Sequence, residues 1–96
     1  MSLQEDIKKG IKLVNDEKFN EALKIFKTIL RFESDNSEAN YNIAIIFSKI
    51  GKYEEASAFF SYCLRKEPKK FEYLQGYVKS LIYLGKITEA RLIFDS

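Results

Sequence analysis

Few side chains in this sequence could make or break bonds. There is a single cysteine, Cys63, and no histidine. Without imidazole there is no ready general base near neutral pH, no cysteine–histidine pair and no His/Cys set suited to zinc. Carboxylates are plentiful, among them Glu33, Asp35, Glu54 and Glu55. Helix surfaces carry such charge for solubility alone. The four glycines are scattered, one to a turn or helix, so no glycine-rich phosphate loop is present. Cys63 stands within a helical stretch beside Leu64, which reads as packing rather than nucleophilic chemistry. The pattern points away from catalysis, and no cofactor or metal site is expected.

Sixteen basic residues against 14 acidic ones leave a net charge of +2, too little to imply a polyanionic partner. The densest basic run, Arg65, Lys66, Lys69 and Lys70, is broken by Glu67 and Pro68 and reads as a solvated turn. No stretch approaches the ~18 apolar residues of a membrane span. The opening residues lack the cationic start and apolar run of a secretory signal. One cysteine cannot form an internal disulfide. A cytoplasmic protein is expected, with neither membrane nor nucleic acid as partner.

What remains is recognition, and helices must position it. Glu-Ala pairs at 21–22, 55–56 and 89–90 recur every 34 residues. Four residues beyond each alanine stand Phe26, Phe60 and Phe94; three before stand Phe19, Tyr53 and Ile87. Apolar residues within each copy follow helical steps, as in Ile7, Ile11 and Val14, or Ala22, Ile25, Phe26, Ile29 and Leu30. Each copy therefore holds two helices of about 14 residues, parted at Asn15–Lys18, Ile50–Lys52 and Leu84–Lys86. Gly51 and Gly85 are suited to the positive φ that ends a helix. Glu17 stands at that place in the first copy, so its turn is expected to close differently. Ser2 followed by Glu5 reads as a capping box. Pro68 and the run Ser34–Ser37 separate successive pairs.

Short connections force the two helices of a pair antiparallel and close. Close approach needs a small residue where the axes meet and a large one beside it. Ala22, Ala56 and Ala90 are the small members and Phe26, Phe60 and Phe94 the large ones, with Gly10 and Ala44 small on the facing helix.

These residues carry a resemblance to the tetratricopeptide repeat. The second copy matches most fully, through Ala44, Phe47, Gly51, Tyr53, Ala56, Phe60, Leu64 and Pro68; the first departs at Asp6 and Lys9, where the family favours bulky apolar side chains. The resemblance implies an all-α, right-handed α-solenoid of three antiparallel helix-turn-helix repeats. It would form one domain over 1–96, with repeats at about 3–36, 37–70 and 71–96. The third repeat is truncated and no C-terminal capping helix follows, so Ile87, Ala90, Ile93 and Phe94 are expected to be partly bare. The chain is expected to be part of a larger protein, or to pair with another copy through that end.

In that family the first helices of successive pairs line a concave groove that receives peptides. Carried over by register, the groove residues are Ile7, Ile11, Tyr41, Asn42, Ile45, Lys79 and Tyr83, with Glu38, Glu72, Gln75 and Gly76 nearby. Ile7, Ile11, Tyr41 and Ile45 would form an apolar strip across the first two pairs, although Ile7 and Ile45 would serve equally well as packing between helices. The cochaperone branch grips a C-terminal carboxylate with lysine, arginine and asparagine. Here the matching positions are Ile7, Ile11, Asn42, Glu72 and Gly76, so only Asn42 survives and a chaperone tail is not the expected ligand. The expected partner is a protein or peptide with apolar anchors. A homo-oligomer built through the C-terminal end is the alternative, and a helical-repeat RNA binder is disfavoured by Glu38 and Glu72.

Overall fold

The structure is a computed structural model that describes residues 2–95. Among these the chain forms six helices and no strand: α1 (Leu3–Asn15), α2 (Phe19–Phe32), α3 (Ser37–Lys49), α4 (Tyr53–Lys66), α5 (Phe71–Tyr83) and α6 (Ile87–Asp95). Local chemistry sets several of the starts. Ser2 accepts a hydrogen bond from the Glu5 amide at 3.1 Å, opening α1 as the capping pattern anticipates. The Asn36 side chain accepts from the Ala39 amide at 2.8 Å and opens α3.

The turns within the three pairs close alike. Gly51 and Gly85 take φ of 82° and 80°. Lys52 then donates its backbone N–H to Phe47 O, and Lys86 to Leu81 O, both at 2.8 Å. The first turn was expected to differ because Glu17 occupies the glycine position. It does not: Glu17 itself adopts φ 61°, and Lys18 donates to Leu13 O at 2.8 Å. All three short loops must hold antiparallel helices at one spacing, and that requirement overrides the ~1–2 kcal/mol preference of an L-residue against the left-handed region.

Consecutive helices pack in chain order. Beyond that, α1 touches α3 and α3 touches α5, whereas the described residues of α2, α4 and α6 make no comparable contacts with one another. A stack whose first helices touch in series while its second helices splay must curve, with α1, α3 and α5 on the inner side. The body is elongated, 43 × 24 × 18 Å.

Ala22, Ala56 and Ala90 are all buried. Phe26 fills the space above Gly10, where an added β-carbon would come within 2.5 Å of its ring. Phe60 sits in a cluster with Ala44 and Ala56. In the third repeat Ile87 and Phe94 are partly bare as expected, at 49% and 58% exposed, but two other expectations need correction. Ala90 is not bare but 3% exposed, covered by its own helix partner. Phe94 does not fill a gap: it is 58% exposed, against 0% and 1% for Phe26 and Phe60. The first two repeats leave room for their phenylalanine with Gly10 and Ala44; the third has Val78 at that register.

Between pairs, Asn40 is the polar staple that sequence reasoning missed. Its buried amide donates to Asn36 O at 2.9 Å and to Ser34 O at 3.4 Å, tying the linker to α3. Cys63 is wholly buried, and its thiol points at Ser37 O at 3.7 Å. Burial, reinforced by Glu67, pushes its ionisation up to about 11, so it is packing and not a poised nucleophile.

Candidate functional site

The concave side opens into two adjoining hollows. The larger, a cavity of about 680 Å³, lies between α3, α5 and the end of α6 and is lined chiefly by Tyr41, Ile45, Phe71, Val78, Ile82, Tyr83 and Phe94, with Glu72, Gln75 and Lys79 among them. The smaller, about 390 Å³, lies towards α1 and is lined by Ile11, Glu38, Tyr41, Asn42, Lys70, Glu72 and Tyr73. Tyr41 and Glu72 belong to both, so the two hollows adjoin there and together make up the trough.

Rigid aromatic packing holds the trough's centre. The Tyr41 ring lies 5.1 Å from that of Tyr73 and 5.8 Å, edge-on, from that of Phe60. At the far wall Tyr83 stacks on Tyr53 at 4.5 Å with an interplanar angle of 7°, while the Lys79 ammonium lies 6.0 Å from the Tyr83 ring centre. Asn42 does not reach freely into the trough. It donates its side-chain amide to Glu38 O, one turn back, at 2.8 Å. Burial, then the Glu72 carboxylate, raises the ionisation of Tyr41. Burial, then Glu67 and other acidic groups including Glu38, pushes Tyr73 up to about 12.

Of the residues expected in the groove, Tyr41, Ile45, Lys79 and Tyr83 share the larger hollow, and Ile11 and Asn42 join Tyr41 in the smaller. Ile7 does not belong with them. It is 2% exposed and packs in the first core cluster with Ala22, Phe26 and Ile43. The expected apolar strip across the first two pairs is therefore displaced along the trough, towards α5. Its walls there are Phe71 and Ile82, which register with the family did not single out. A signal for them exists: Phe71, Val78 and Ile82 sit at helical steps of seven and four, a second apolar stripe beside the core stripe of Tyr73, Tyr77 and Leu81. A helix apolar on two faces has a second surface to cover.

Among the described residues no group of three or more Cys, Asp or Glu side chains is placed to hold a metal ion, and no helix is long and apolar enough to cross a membrane.

The chain is 29% identical over 91 residues to the TPR repeat-containing protein YsoA of Bacillus subtilis (strain 168); the match covers 94% of this chain but 27% of that protein, so the chain spans about a quarter of the relative's length. Two solved structures share the fold. The second TPR of Spaghetti (RPAP3), bound to the HSP90 peptide SRMEEVD, superposes with a TM-score of 0.86 at 21% identity, covering 95% of this chain and 84% of that one. A mutant of MamA gives 0.83 at 17% identity, covering 96% and 67%. The family model for the tetratricopeptide repeat matches residues 13–61, just over half the sequence and the part holding the Glu17 and Gly51 turns. Six antiparallel helices in register and that match together make this chain a member of the tetratricopeptide-repeat family.

Proposed function

We propose that this chain is a protein–protein interaction module that holds a segment of a partner polypeptide in the trough formed by α1, α3 and α5. The observation that carries the reading is the larger hollow: about 680 Å³ of concave space walled by exposed Phe71, Ile82 and Tyr83 around half-buried Tyr41 and Ile45. Apolar and aromatic side chains left open to water on a rigid frame are suited to seating a partner's apolar anchors. The bound HSP90 peptide in the similar fold of Spaghetti (RPAP3) supports a polypeptide as the class of ligand. That peptide ends in acidic residues; here Glu38 and Glu72 flank the trough and one of the two Asn42 amide N–H groups is already engaged. An acidic tail is therefore not the proposed cargo. The setting we propose is cytoplasmic, where Cys63 stays a thiol.

The test is affinity capture with the 96-residue chain and with Phe71→Glu and Ile82→Glu variants. Both residues are exposed, so the thermal midpoint should hold while the captured partner is lost. A partner retained by both variants overturns the reading.

A specific observation also favours self-association. Ile82, Ile87 and Phe94, with Val78, Ala90, Arg91 and Asp95, line a further hollow of about 510 Å³ at the α5–α6 end. A mass that rises with concentration in light scattering, abolished by Phe94→Glu, supports that second reading; a concentration-independent monomer removes it.

A further inference from the structure

The two hollows of the trough differ in chemistry, and the difference specifies a ligand. The larger is walled by apolar groups at Ile45, Phe71 and Ile82. The smaller presents two carboxylates, Glu38 and Glu72, and one cation, Lys70. That ammonium is drawn over the Tyr73 ring, 5.7 Å from its centre. Among the described residues neither carboxylate forms an ion pair; the two pairs in the chain are Lys12–Asp16 and Lys66–Asp35. Asn42 gives one of its two amide N–H groups to Glu38 O, which leaves its carbonyl oxygen as an acceptor and a single N–H as a donor. The smaller hollow is thus rich in hydrogen-bond acceptors, with the ring of Tyr41 beside them. Burial and then Glu72 hold Tyr41 protonated, while Tyr73 is held chiefly by burial and by Glu67, which lies outside the hollow.

Acceptors, carboxylates and the half-buried ring of Tyr41 together suit a primary ammonium or a guanidinium, whereas Tyr73 is buried and its ring already carries Lys70. Tyr41 and Glu72 line both hollows, so a cation seated there lies directly beside the apolar wall. At the far end Lys79, held over Tyr83, disfavours a second cation. We propose that the trough selects a peptide segment in which a lysine or arginine adjoins a bulky apolar side chain, the cation resting between Glu38, Tyr41 and Glu72 and the apolar group against Ile45, Phe71 and Ile82. This rests on the interaction-module reading above and adds the sign of charge that the partner must carry.

The experiment is selection of a random peptide display library on the 96-residue chain, followed by titration of the enriched synthetic peptides against three proteins: the unaltered chain, a Glu38→Lys, Glu72→Lys double variant, and Ile82→Glu. All three sites are exposed, and thermal melting checks that each variant folds. The expected result is enrichment of peptides pairing Lys or Arg with Leu, Ile, Phe or Trp. Their affinity should fall about tenfold or more on the charge-reversed variant, should fall on Ile82→Glu, and should weaken as salt is raised. Neutral or acidic peptides, or peptides indifferent to charge reversal, overturn the cation inference; if Ile82→Glu still abolishes their binding, the trough itself stands. Peptides unaffected by either variant, or no enrichment at all, overturn both.

Discussion

Phe60 of α4 lies so close to Gly76 of α5 that a β-carbon on the glycine would come within 2.6 Å of both Cδ1 and Cζ of the ring. The ring is 1% exposed and packed by Ala44 and Ala56, so it has nowhere to go. This contact joins the second helix pair to the third, just as Phe26 over Gly10 closes the first pair internally. On helix propensity alone Gly76→Ala should gain about 1 kcal/mol. We expect the opposite sign: a net loss of about 1–3 kcal/mol from overpacking, read as a lower urea midpoint with an unchanged slope. Gly10→Ala should behave in the same way. An equal or raised midpoint would mean that the rings yield.

Ala56→Leu probes the same seam from the other side. Ala56 has no exposed surface. The added bulk of a leucine side chain cannot be absorbed where two axes nearly meet, and a loss of about 1–3 kcal/mol is expected by chemical denaturation. A Ser57→Leu control, next along the helix and only half-buried, should cost less.

Glu17 holds a left-handed conformation that the corresponding turns give to Gly51 and Gly85. Glu17→Gly removes that strain and should raise stability by up to about 1 kcal/mol, partly offset by the extra freedom of glycine in the unfolded chain. Gly51→Glu should lower it by a similar amount, although a β-carbon there meets nothing within 4 Å. The two thermal midpoints moving in opposite directions would isolate a backbone effect from any contact.

Cys63 makes a pH prediction. Its thiol ionises near 9.0 when unperturbed and near about 11 in the folded chain. The folded state keeps the proton that the unfolded state has begun to release, so stability from this source is intact below pH 9.0 and declines as pH rises towards 11. Tyr73, raised from 10.0 to about 12, extends the decline. Thermal melts across this range should fall with rising pH, and Cys63→Ala should delay the onset to about pH 10, where Tyr73 takes over. Near neutral pH a thiol reagent should label the chain only as fast as it opens.

Asn40→Ala removes two hydrogen bonds from a buried amide and strips Ser34 O and Asn36 O of a donor. A cost of about 1–3 kcal/mol is expected, with hydrogen exchange accelerating first at the start of α3. Uniform acceleration along the chain would argue against a local staple.

Much of this was legible in the residues. The 34-residue recurrence of alanine and phenylalanine, the glycine turns and the Ser2 cap announced the six helices before any coordinates, because backbone closure and helix packing are local requirements that each repeat states afresh. Register with the resembling family put Tyr41, Ile45, Lys79 and Tyr83 beside one hollow and Asn42 beside its neighbour; that a partner sits there is the proposal made above. Curvature and coverage were not local. Whether Ile7 faces a groove or a core depends on how α1 leans on α3, and the lean buries it. Whether Phe94 packs depends on Val78 across the pair and on what lies over it, and here it stays open. The conformation of Glu17 was decided by the spacing of the two helices it joins, a demand that its own φ preference could not resist. The sequence by itself determined the elements and their period, since those follow from steric and hydrogen-bonding rules acting over a few residues. Only the tertiary structure decided which apolar side chains become core and which remain as surface for a partner, since exposure is a property of the whole stack.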